Sequence, residues 1–118
     1  MDIATATLAF ALSDKIKSGL IWASGLVTCA LQLPPGEKAG AEKALVQLME
    51  MLGSDLRLSR RRIPHPAWDT AEKELDLAIV MARSGVVPEA TYHLTRSLSH
   101  VADVAQESMT VLKDQGLI

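Results

Sequence analysis

A chain of 118 residues, 48% of them hydrophobic, is long enough to bury one core without disulfide or metal staples. Aromatic residues make up only 3%, so Leu, Val, Ile, Ala and Met must fill that core, which favours close helix packing over a β-sandwich. A formal net charge of −2 excludes a uniformly basic domain, and a single cysteine, Cys29, excludes an intramolecular disulfide or a thiolate cluster.

The first amphipathic stretch predicts a helix over residues 3–33. Its seam reads Leu8, Leu12, Ile16, Gly19, Ala23, Leu26, Ala30 and Leu33, in alternating steps of four and three. Phe10, Ile21 and Leu31 lie away from that seam and Trp22 sits at its edge, so the helix is apolar on two sides. The second side is expected to form a homodimer interface from Phe10, Ile21, Trp22 and Leu31. The most apolar window, 18–33, has 16 residues, fewer than the about 20 that a membrane span needs. With no cationic start or small-residue cleavage pattern at the N-terminus, a cytoplasmic protein without a membrane segment is expected.

Pro34, Pro35 and Gly36 end this helix. The second helix is predicted over 37–52, with Ala41, Ala44, Leu45, Leu48, Met49 and Leu52 on one face. Gly53 reads as a cap, yet Leu56 continues the apolar spacing, so a break at Gly53 and a helix running on through Arg62 both fit. Ile63-Pro64-His65-Pro66 is a firm break, and Pro66 with acidic residues after it opens a third helix. Its core face is Trp68, Ala71, Leu75, Ala78, Ile79 and Ala82, and Gly85 ends it.

Pro88 and Glu89 open a fourth helix. Its seam of Val87, Thr91, Leu94, Leu98, Val101, Ala105, Ser108 and Leu112 recurs about every 3.5 residues. No strand-like alternation occurs, and the connections are short. The expected architecture is all-α, an antiparallel four-helix bundle (up-down-up-down) forming one domain over 1–118.

Charge is uneven along the chain. Residues 1–62 hold eight Lys/Arg and six Asp/Glu, whereas residues 63–118 hold four and eight. Arg57, Arg60, Arg61 and Arg62 cluster, and guanidinium groups grip phosphates and carboxylates bidentately. That cluster is a candidate contact for an acidic protein partner, or for nucleic acid. No interleaved aromatics offer bases a stacking platform.

A second stripe on the fourth helix carries His93, Arg96, His100, Asp103 and Glu107. His93, His100 and Glu107 are spaced by seven, about 10.5 Å along the axis, too far for one ion to bridge. No metal or cofactor is expected, and His93, His100 and Glu107 are read as partner-binding positions. Gly-rich phosphate loops, Ser-x-x-Lys and nucleophile elbows are absent. The leading expectation is a non-catalytic interaction or scaffolding module.

One short segment suggests an alternative. His93-Leu94-Thr95-Arg96-Ser97 is similar to the His-x-x-(Lys/Arg)-(Gly/Ser/Thr) arrangement of histidine phosphotransfer modules and of sensor-kinase dimerisation domains. The resemblance covers five residues. It implies phosphoryl acceptance at His93, the one catalytic candidate, with Arg96 a turn away to steady the charge. The chain departs from the pattern at Leu94, where a kinase box has an acidic residue, and in carrying the His on its last helix.

Overall fold

Proline and glycine punctuation divides the chain into four helices, and the computed structural model describes residues 1–118. The helices are α1 (Ile3–Leu31), α2 (Pro35–Arg62), α3 (Pro66–Arg83) and α4 (Val87–Asp114), 87% of the chain, with no strand. Their ends follow local chemistry. The Asp2 side chain accepts from the Thr5 N–H at 2.7 Å, which caps α1 and holds the Asp2 carboxyl below its usual range. Pro35, Pro66 and Pro88 stand in the first turns of the other three, where a missing N–H costs nothing.

At the far ends of α3 and α4, Gly85 (φ +79°) and Gly116 (φ +72°) take left-handed conformations. They let Val86 N–H reach Met81 O, and Leu117 N–H reach Leu112 O, both at 2.9 Å.

The connections 32–34, 63–65 and 84–86 are too short for anything but antiparallel neighbours. Each helix packs on its neighbours in sequence, and α1 against α4 closes the ring; diagonal pairs do not touch. The seams of α4 with α1 and with α3 are more extensive than either seam of α2. This widens α4's buried stripe: Ala90, Ser97 and Val104 join the predicted seam because the helix packs on two partners at once.

In α1 the buried stripe is Ala6, Ala9, Ser13, Ile16, Gly19, Leu20, Ala23, Val27 and Ala30. Compared with the predicted seam it is rotated toward α4, and Leu8 and Leu26 are left exposed on the α2 flank. Ala, Gly and Ser make up most of this stripe, leaving room for a neighbouring helix backbone. Gly19 has a different role, since an added Cβ would collide with Leu52 of α2. Gly19→Val should therefore cost about 1–3 kcal/mol through overpacking, measured by urea denaturation.

α2 does not break at Gly53. The helix is continuous through Arg62, with Gly53 buried on the side toward α3, where a Cβ would meet Arg57 Nη1 at 3.3 Å and Leu75 Cδ2 at 3.8 Å. Leu56 completes the face, fully buried. The core polar groups are serines that return their hydroxyls to backbone carbonyls. One of these crosses helices, Ser97 Oγ donating to Ala71 O at 2.8 Å.

The helices are staggered. α3, with 18 residues, is about 27 Å long and the others about 42 Å or slightly more, yet the molecule extends 53 Å. Arg83, at the end of α3, pairs with Glu50, so the first turns of α2 continue past α3 alongside the end of α1. At the other end, His65, just before α3, pairs with Glu107, and the last turns of α4 continue past it. The four-helix cross-section is complete only in the middle, and the α1–α2 hairpin projects from one end as a tip.

Candidate functional site

The basic segment closes the lower end of the α2–α3 seam. Arg60 Nη1 lies 2.9 Å from Glu72 Oε2 and 3.2 Å from Asp69 Oδ1. Arg57 Nη1 lies 3.9 Å from Glu72 Oε1, and its Nη2 donates to Ser54 Oγ at 3.3 Å. Arg61 and Arg62 are exposed and form no ion pair. The four arginines thus divide into two that latch α2 to α3 and two that face solvent at the helix end. Above them, an α2–α3 cleft of about 600 Å³ includes Arg57 and Arg83 opposite Glu50 and Asp76. Arg83 pairs with Glu50 across it, and Arg57 reaches Glu72 at its edge.

The stripe on α4 runs along α3. The His93 ring is half-buried, and its Nδ1–H donates to Glu74 Oε2 at 2.7 Å; a carboxylate accepts only, so the proton sits on Nδ1. Arg96 Nε donates to Glu74 Oε1 at 2.9 Å, and its guanidinium stacks over the Tyr92 ring at 5.7 Å. The His93 and Arg96 hydrogen bonds hold the Glu74 carboxyl below its usual range, and Glu74 in turn raises Arg96.

Because Arg96 is taken up by Glu74 and Tyr92, a phosphoryl group on His93 would find no free cation one turn away. His100 is half-buried and makes no hydrogen bond or ion pair. Glu107 accepts from His65 Nε2 at 2.5 Å. The structure therefore spreads His93, His100 and Glu107 along a helix–helix seam and does not gather them at one point.

His65 is the residue that reading the sequence undervalued. Its Nδ1 accepts from the Ala67 N–H at 3.1 Å, capping α3. Since Nδ1 must then offer its lone pair, the ring proton is on Nε2, the atom that reaches Glu107. The clue lay in its place just before Pro66, a proline at the first helical position.

On α1, Phe10 is half-buried, while Ile21, Trp22 and Leu31 are exposed, Trp22 by 67%. At 100° per residue Trp22 and Leu31 stand half a turn apart, so one flat contact cannot cover both. The Trp22 side is the structured one. There a groove of about 160 Å³ opens between α1 and α2, lined only by hydrophobic residues: Leu26, Cys29, Ala30, Leu33, Ala41, Ala44 and Leu45.

No three His, Cys, Asp or Glu side chains converge as a metal-binding set. No helix is long and apolar enough to cross a membrane. Comparison of the chain with protein-family models, with curated proteins and with solved structures gives no match in any of the three.

Proposed function

We propose that this chain is a non-catalytic interaction module that self-associates through α1 and offers the Arg61–Arg62 end of α2 to an acidic protein partner. The observation that carries the reading is Trp22, 67% exposed on a helix with no charged residue from Ser18 to Gly36. Exposed aromatic surface without charge around it is characteristic of docking faces.

The ionisable clusters support the same reading from the other side. Glu72 and Glu74 are occupied by arginine and histidine partners that bind helix to helix, so neither is set up for acid–base chemistry. With Arg57 and Arg60 neutralised by α3, two free guanidiniums remain, enough to select a carboxylate-bearing protein surface and few for a nucleic-acid backbone. A cytoplasmic location suits the exposed thiol of Cys29, which a reducing compartment would keep free. Light scattering of the purified protein should give twice the 12.7 kDa chain mass. A monomer at every accessible concentration would overturn the proposal.

A further inference from the structure

We infer that the occupant of the α1–α2 groove is a second copy of this chain, docked antiparallel, with Trp22 of each copy seated in the groove of the other. The inference rests on self-association through α1 and specifies the face and the fit.

Four observations lead to it. First, helical spacing places Trp22, Gly25, Leu26 and Cys29 on one side of α1, and Leu33 of the following connection lines the same groove. The Lys15–Asp55 ion pair at 3.4 Å, and Leu52 packed over Gly19, set the α1–α2 register. Continued upward, that register brings Leu48 beside Trp22 and Ala44 beside Leu26. The hairpin thus has a continuous apolar outer face, on the side away from α3 and α4.

Second, this face carries both halves of a fit. A large side chain projects at Trp22, and an apolar hole lies one to two turns further along the same helix. A two-fold axis near Leu26 exchanges them, which is the self-complementarity that a closed dimer requires.

Third, Gly25 is unexplained by the single chain. A Cβ there would have nothing within 4 Å, and glycine weakens a mid-helix position. Beside the two-fold axis its bare backbone allows two helices to approach closely.

Fourth, the uncharged run is bounded by Lys17 on one side and Glu37 on the other. A face without charge along this run can be buried against its own copy without stranding an unpaired ion.

Cys29, the only cysteine, is exposed at the mouth of the groove and reports directly on its occupancy. The test uses the full chain in three forms, wild type, Trp22→Ala and Gly25→Leu, by sedimentation velocity over a concentration series. Maleimide alkylation of Cys29 and iodide quenching of Trp22 are followed in parallel; Trp68, fully buried, is silent to iodide. Both substitutions fall on exposed positions, so folding is not at risk.

Each variant should weaken the dimer at least tenfold. In the wild type, Cys29 alkylation and Trp22 quenching should both slow at least tenfold as dimer forms. A dimer in which Cys29 reacts at the monomer rate, or which both variants leave intact, would overturn the inference and leave self-association standing. A wild type that remains monomeric would overturn both.

Discussion

Trp68→Ala is expected to lower the free energy of unfolding by about 3–5 kcal/mol. Trp68 is the largest fully buried side chain, in the first turn of α3, and belongs to a core cluster drawing on all four helices. No other aromatic side chain belongs to that cluster, so none is available there to collapse into the space. A domain of this size has roughly 5–15 kcal/mol in total, so the variant should be marginal in urea titration at 25 °C. Trp68→Phe should behave differently. The Trp68 Nε1–H has no hydrogen-bond partner, and burying an unpaired donor costs about 1–3 kcal/mol. Phenylalanine gives up part of the volume and removes that penalty, so it should cost less than half as much as alanine. Equal losses would show that the unpaired N–H is not a cost in the native state.

Glu74→Gln should be the most damaging polar change, at about 1–3 kcal/mol near neutral pH. The carboxylate accepts from His93 Nδ1 and from Arg96 Nε on its two oxygens, and an amide has only one acceptor to offer. Its side chain is 13% exposed, so water does not readily replace the lost partner. The substitution should also alter the pH dependence of stability. In the folded chain the Glu74 carboxyl is held below its ordinary value, mainly by the His93 hydrogen bond and then by Arg96. Between the lowered and the ordinary value, the unfolded chain binds the extra proton. The stabilisation is therefore fully present above the ordinary carboxylate range and is lost as the pH falls through the lowered value. Urea midpoints measured across the acid range should fall less steeply in Glu74→Gln than in wild type. Parallel slopes would contradict this role for Glu74.

The sequence announced helix boundaries better than helix faces. Pro66 and Gly85 mark the ends of α3 because each fills a backbone position that few other residues tolerate. The α4 seam was legible because a helix packed on two neighbours repeats its small and apolar residues without interruption. The rotation of α1 was not. Leu8, Leu26 and Val27 are all apolar, and periodicity does not say which side of a doubly apolar helix meets the more demanding neighbour. Continuity through Gly53 was equally open, because a glycine caps a helix or sits buried within one, and only the packing of α2 on other helices distinguishes the two.

The candidate site was legible in its residue types and not in its pairings. Arg57 and Arg60, or His93 and Glu107, look like a patch and a stripe until the fold supplies Glu72, Glu74 and His65 opposite them. Such partners lie 12 to 42 positions away in the chain, beyond the reach of any local pattern.

The stagger of the helices also determines what can be attached to this molecule. The start of α1 and the end of α4 emerge together at one pole, and the hairpin tip occupies the other. Anything tethered to either terminus is carried at the pole remote from Trp22. Pairing through the tips would hold two such cargoes at opposite extremities of an elongated rod, with a span fixed by helix length and not by flexible linkers.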